Sequence, residues 1–278
     1  MLPRSSGPAL ATENYRFLRD YVYTQSGLVL DDDKQYLFEN RLASLLRENG
    51  LTSINDLCAL LQATHARPSL GRQVAEAMTT NETYFFRDPA HYEAIRNVLL
   101  PALIEEKRSV KKLRFWSAAS STGQEAYSLA MLLHDYGLAD WDIQILGTDF
   151  SSQVLARAQS GTYNQLEVNR GLPATMLVKH FHRSGAEWQV NDPIRRMARF
   201  ESIDLRKSMR ALGPFDLVFC RNVMIYFDSS TRQQILQEIH GTLYRGGWFF
   251  LGGAEIAPGI DGLFEKKSIG SAIVYVAR

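Results

Sequence analysis

From Pro89 onward the chain alternates short apolar runs with segments of helical periodicity, and this alternation limits the possible folds more than any other feature. Leu113–Ser117, Ile143–Thr148, Ala198–Ile203, Phe215–Cys220, Trp248–Gly252, Phe264–Ser268 and Ala272–Val276 read as strands. Ser151–Ser160 and Ser230–Tyr244 read as helices between them. Such repetition points to an α/β fold with a mostly parallel, doubly wound sheet, because parallel neighbours need a crossover. The last two runs are joined only by Ile269-Gly270-Ser271, too short for a crossover, so they must form an antiparallel pair at the end of the sheet. One segment breaks the alternation: "HFHRSGAEWQVND", His180 to Asp192, reads as a small hairpin turning at Ser184–Gly185.

The texture before Pro89 is different. Residues 1–12 read as a mobile arm, and Glu13 to Met78 is helical in pattern. Phe17, Leu18, Tyr21 and Val22 make one apolar stripe; Leu37, Leu42, Leu45 and Leu46 make a second helix. Ser53 with Asp56 three residues on caps a third helix through Leu57, Leu60 and Leu61. The expected division is a helical domain over 1–78, a linker over 79–90 that contributes to the site, and an α/β domain over 91–278 with a hairpin subdomain at about 179–197.

The formal net charge of +1 gives no global drive toward nucleic acid or an anionic membrane. Cys58 and Cys220 stand far apart with no Cys/His spacing around them, so neither a disulfide framework nor a metal site is expected. No apolar run reaches the roughly 18 residues of a membrane span and no signal peptide opens the chain, so a reduced, cytoplasmic protein is expected, without membrane insertion.

The chemistry concentrates in three segments. In "RFWSAASSTGQEAYSLAM", Arg114 to Met131, a strand runs through small and polar residues into a helix, the layout that receives a polar ligand at loop amides and a helix N-terminus. Only Gly123 is glycine, and no Lys follows as in a phosphate-binding loop. A pyrophosphate needs closer backbone approach than this loop allows, whereas a small zwitterion with a ribose does not. Asp149 ends the next strand, near the roughly 20-residue spacing at which an acid takes a ribose diol. It either accepts from those hydroxyls or caps the helix beginning at Ser151–Ser152. Glu125 suits an ammonium group, so S-adenosylmethionine fits better than NAD. In "FDLVFCRNVMIYFD", a buried strand ends in Arg221 and Asn222, where open sheets place their ligands, and Tyr226 follows. Arg221 as a solvated loop residue and Tyr226 as core are the alternatives. In "TTNETYFFRD", Asn81, Thr83 and Arg87 flank three aromatics that are expected to pack over a ligand, or else Thr83 serves a helix N-terminus.

Taken in order, "TNETYFFRD", "WSAASSTGQEAYSLAM", "GTDFS", "FDLVFCRNVMIYFD" and "LYRGGWFFLGGAE" resemble the CheR family of bacterial chemotaxis receptor methyltransferases, from about Tyr15 to the C-terminus. The resemblance implies a Rossmann-like S-adenosylmethionine-dependent methyltransferase domain behind an all-α domain. It implies that glutamate side chains on the cytoplasmic helices of chemoreceptors are esterified at the γ-carboxylate. Asn81, Thr83, Arg87, Glu125, Asp149, Arg221 and Asn222 look like the family's cofactor contacts, and Arg87 and Tyr226 look like the residues nearest the transferring methyl. The family's Asn-Leu pair at the adenine is Asp204–Leu205 here, a departure. Family members can carry an arginine-rich second helix for the acidic receptor; here Lys34, Arg41 and Arg47 are offset by Glu39 and Glu48. Some relatives grip a receptor tail peptide at a longer, glycine-bearing hairpin loop, so tail tethering is not expected of this compact turn. A methyltransferase of another substrate, an NAD-dependent oxidoreductase and a non-catalytic sensor of S-adenosylmethionine are the competing readings.

Overall fold

The computed structural model describes residues 10–63, 68–256 and 259–278, so most of the expected N-terminal arm lies outside the described residues. Two compact units emerge: Met1–Thr80 with Tyr226–Asp228, and Asn81–Ile225 with Ser229–Arg278.

The first unit is helical, with α1 (Thr12–Ser26), α2 (Gln35–Arg41), α3 (Ala43–Glu48), α4 (Ile54–Ala63) and α5 (Pro68–Met78). Leu18, Val22, Phe38, Leu42, Leu57 and Val74 are fully buried in its core. The expected cap of α4 is reciprocal: Asp56 N–H donates to Ser53 Oγ at 3.1 Å, and Ser53 N–H to Asp56 Oδ2 at 2.9 Å. The second helix is not continuous. It breaks at Leu42, whose backbone opens to φ −90° and ψ −6° while its side chain stays buried, so Phe38 and Leu45 both face the core. Arg41 donates from Nη1 to the carbonyls of Met78 (2.7 Å) and Thr79 (3.0 Å), which fastens the end of α5. Tyr226 packs on this helical core, and its carbonyl accepts from Val29 N–H at 2.9 Å.

The second unit opens with α6 (Pro89–Ala94), which runs through one π-helical turn into α7 (Leu100–Glu106). Then follow β1 (Lys112–Ala118), α8 (Gln124–Asp135), β2 (Asp142–Asp149), α9 (Ser152–Ser160), β3 (Thr162–Tyr163), α10 (Gln165–Asn169) and α11 (Ala174–His180). The chain continues with β4 (Phe181–Ser184), β5 (Glu187–Val190), α12 (Asp192–Arg195), β6 (Ala198–Ser202), β7 (Phe215–Cys220), α13 (Ser229–His240), β8 (Leu243–Phe250), β9 (Phe264–Ile269) and β10 (Ala272–Ala277). The main sheet has the order β6-β2-β1-β7-β8-β10-β9. Its first five strands are parallel, and β10 pairs antiparallel with both β8 and β9, as the short Gly270–Ser271 turn requires. This is the Rossmann-like methyltransferase sheet expected.

Three details differ from the expectation. Strand β8 begins at Leu243 and α13 stops at His240, because Tyr244–Gly247 forms a bulge opposite Asp216 rather than a helix end. The hairpin turns at Gly185–Ala186, since Ser184 pairs with Glu187 and Gly185 takes φ +61°. It also gains a third strand, giving the order β3-β5-β4, because two residues after α9 pair with β5.

Gly147 in β2 lies against Phe200, where a Cβ would stand 2.4 Å from the ring carbon Cδ1 and 3.0 Å from Ser120 Oγ. Gly147→Ala should therefore destabilise the fold by about 1–3 kcal/mol through overpacking, measured by urea unfolding; unchanged stability would mean that this contact relaxes freely.

Candidate active site

Strands β2, β1 and β7 end side by side, and the loops that leave them carry most of the polar residues singled out from the sequence. The loop after β1 explains how a glycine-poor segment turns so sharply. Ala119 (φ +57°) and Ser121 (φ +50°) adopt left-handed conformations, as does Gly123 (φ +93°). Each such non-glycine residue costs about 1–2 kcal/mol, and specific bonds offset that cost. Ser120 N–H donates to the Thr148 carbonyl at 2.8 Å, Ser121 N–H to Asp149 Oδ2 at 2.9 Å, and Ser121 Oγ to the Asn81 carbonyl at 2.8 Å. Asp149 also accepts from Ser151 N–H at 3.0 Å, so its carboxylate bridges the loops after β1 and β2. An ionised carboxylate offers about four acceptor positions and so can serve several donors at once.

The centre of the site is the guanidinium of Arg221, 1 % exposed, at the end of β7. It donates from Nη1 to Glu125 Oε2 at 2.9 Å, and from Nη2 to Asp88 Oδ2 at 2.6 Å and to the carbonyl of Arg87. The other Glu125 oxygen accepts from Ser117 Oγ at 2.7 Å. Burial pushes the Glu125 carboxyl up, against the opposing pull of Arg221 and Ser117. Burial also raises Asp88, but the hydrogen bond and charge of Arg221 outweigh it and hold that carboxyl below its usual range. Arg221 is thus shared by two carboxylates, Glu125, which is nearly buried, and Asp88, which is a third exposed. Next to it, His91 is 4 % exposed and lowered to about 4, by burial first and then by the charge of Arg221, so its ring is neutral at pH 7.

Asn222 is left-handed (φ +59°) and donates its N–H to Glu255 Oε2 at 2.6 Å; Gly252 N–H donates to the same oxygen at 2.8 Å. Asn81 joins the β1 loop through its carbonyl, and Thr83 is half-buried beside it in the chain. Arg87 donates to the Glu82 carbonyl at 3.2 Å and lies over the Tyr84 ring at 5.4 Å. Phe85 is buried against Tyr163 and Phe181 and Phe86 packs on Tyr92, so two of the three linker aromatics serve the core. Asp204, in place of the family's Asn, is held by its neighbour Arg206 at 2.7 Å, and Leu205 is buried. Tyr226 lies in the segment that packs with the helical unit. Asp88 and Glu255 were missed: an Asp before Pro89 reads as a helix start, and only folding brings Glu255 to Asn222.

The donor set fits S-adenosylmethionine on its own chemistry. Ser120 Oγ and Glu255 Oε1 are buried polar atoms without a hydrogen-bond partner at these strand ends. With the carboxylates of Glu125 and Asp149, they give the site acceptor oxygens that suit a cationic, hydroxyl-bearing ligand. Comparison with known proteins agrees. The family model described as CheR methyltransferase, SAM binding domain, matches residues 81–273, and the one for the all-alpha domain matches 13–79. The chain belongs to the CheR methyltransferase family. It is 37% identical to "Chemotaxis protein methyltransferase 1" of Pseudomonas aeruginosa, over 96% of this chain and 99% of that one. It is also 37% identical to "Chemotaxis protein methyltransferase Cher2" of Pseudomonas putida, over 97% and 100%. A Vibrio parahaemolyticus "Chemotaxis protein methyltransferase" is 35% identical over 96% and 97%.

Replacing Arg221 by Met should destabilise the protein by about 3 kcal/mol, the lower end for a broken buried pair because Asp88 is a third exposed. In Asp88→Asn the loss relative to wild type should be largest near neutrality. It should shrink as pH falls below about 4, since a depressed carboxyl contributes only while ionised. A loss that does not vary with pH would remove the charge pair from the account.

Proposed function

We propose that this chain transfers the methyl group of S-adenosylmethionine to γ-carboxylates of glutamates on the cytoplasmic helices of chemoreceptors, working in the cytoplasm. The observation that carries this reading is the Glu125–Arg221–Asp88 cluster, in which two carboxylates at the strand ends share one buried guanidinium. Family membership supplies the reaction class. When bound there, S-adenosylmethionine offers a sulfonium methyl for displacement by a carboxylate oxygen: the C–O bond forms, the C–S bond breaks, and its electron pair stays on sulfur.

The side chains divide this work. Glu125 accepts from the ligand's ammonium group, and Asp149 from its ribose hydroxyls. Asn81, Thr83 and Asn222 add polar contacts, and Arg221 holds Glu125 and the linker carbonyl in place. With Asp204 engaged by Arg206, Leu205 supplies the apolar packing for the adenine. Arg87 and Tyr226 orient the incoming carboxylate. No general base is required, because a glutamate with a pKa of about 4.3 is already ionised near neutrality. Rate enhancement then comes from alignment, which can supply about 7–11 kcal/mol of the barrier.

Recognition of the receptor is read as independent of a tail peptide. The turn Gly185–Ala186 uses the hairpin's one glycine, β4 is only four residues long, and Arg183 is stacked over Trp188 at 4.2 Å. C-terminal receptor peptides should neither bind saturably at low micromolar concentration nor speed methylation; either result would overturn this part.

Calorimetry with S-adenosylhomocysteine tests the site. The wild type should bind it in preference to NAD, and Asp149→Ala should lose about 1.5–3 kcal/mol of affinity. For S-adenosylmethionine, affinity should fall as pH drops through the raised pKa of Glu125, because the ligand's ammonium requires the ionised form. Glu125→Gln should bind weakly with a flat pH profile. Tyr226→Phe should lower turnover more than ligand affinity. Preferential NAD binding would contradict the proposal.

A further inference from the structure

The cluster His134, Asp135 and His180 lies away from the residues assigned to the reaction. His134 and Asp135 are the last two residues of α8, and His180 ends α11 immediately before the hairpin strand β4. His180 Nε2 stands 2.9 Å from Asp135 Oδ1, and His134 Nδ1 stands 3.6 Å from the same oxygen. The three candidate donor atoms lie within 4.8 Å of one another. In a tetrahedral site with metal–ligand bonds of about 2.0–2.1 Å, donor atoms sit about 3.3–3.4 Å apart, and the two measured separations bracket that value.

A second observation points to a missing ligand. The His180 side chain is 3 % exposed, and its Nε2 approaches Asp135 Oδ1 at 2.9 Å but out of line for a well-formed hydrogen bond. A buried nitrogen aimed at a carboxylate but poorly aligned with it is a costly arrangement in a folded interior. We propose that His134, Asp135 and His180 form a transition-metal site that takes Zn2+ and clamps the hairpin subdomain to the end of α8. Two imidazole nitrogens and one carboxylate oxygen suit zinc, whereas Mg2+ and Ca2+ prefer all-oxygen sets. Lys179 Nζ, 2.7 Å from Asp135 Oδ1, is the cation that now balances this carboxylate. Its side chain is 57 % exposed, so it can swing into solvent when a metal ion takes the position. This departs from the expectation of no metal site, which rested on cysteine spacing and did not weigh histidines distant in sequence.

The test uses the full chain without a polyhistidine tag, stripped with chelator and titrated with ZnCl2 by calorimetry and thermal melting. One saturable site is expected, with a Tm rise of several degrees that EDTA reverses and Mg2+ does not reproduce. His134 is partly exposed, so His134→Gln should keep the fold and weaken Zn2+ binding at least tenfold. Lys179→Gln should tighten it several-fold, because the competing ammonium is gone; a purely structural ion pair would give no such gain. Absence of saturable Zn2+ binding, binding unchanged in His134→Gln, or binding weakened by Lys179→Gln would each overturn the proposal.

Discussion

The buried guanidinium of Arg221 is the constraint on which the site depends. It ties three separate pieces of chain to the end of β7: the linker at Arg87–Asp88, the start of α8 at Glu125 and, through Glu125, the β1 residue Ser117. Taking such charges out of water is costly, and a buried ion pair seldom adds net stability over an apolar substitute. What the cluster provides is position. A planar guanidinium fixes two carboxylates at once, and with them the linker and the start of α8.

The backbone around the cluster is strained in the same places. Of the six non-glycine residues with positive φ among the described residues, five, Phe86, Asp88, Ala119, Ser121 and Asn222, lie in the linker or on the β1 and β7 loops; the sixth, Lys111, precedes β1. Strain concentrated in this way marks a site that its surroundings over-determine. Here the restraints are visible: Asp149 holds the Ser121 amide, Glu255 holds the Asn222 amide, and Arg221 grips Asp88. A loop poor in glycine can therefore still expose its turns to a ligand, because side-chain carboxylates supply what glycine's conformational freedom supplies in pyrophosphate-binding loops.

Much of this was legible from the order of residues. The strand Phe215–Cys220 is the one expected, the antiparallel ending follows from the length of one connection, and the Ser53–Asp56 cap forms as its spacing implies. These are local signals, fixed by periodicity and short connections. The rest depended on tertiary partners. Phe85 and Phe86 look like ligand-facing aromatics until Tyr163, Phe181 and Tyr92 are found beside them. Tyr244 reads as a helix end and Arg245–Gly247 as the connection after it, because a bulge and a turn share the same glycines. Asp88 and Glu255 carry no local pattern that separates them from ordinary turn residues, and the meeting of His134 with His180 is set by the packing of α8 against the hairpin subdomain.

The central claim is that the chain makes glutamate methyl esters on receptors, and the most direct measurement follows the methyl group. Purified protein is incubated with methyl-labelled S-adenosylmethionine and the cytoplasmic domain of a chemoreceptor from the same organism. The receptor is then isolated and treated with alkali. The account predicts label on the receptor that alkali releases as methanol, as a carboxylate ester requires, and that disappears when the receptor's methyl-accepting glutamates are replaced by alanine. Label that resists alkali, or no transfer to any receptor domain by a protein that binds S-adenosylmethionine, would contradict it.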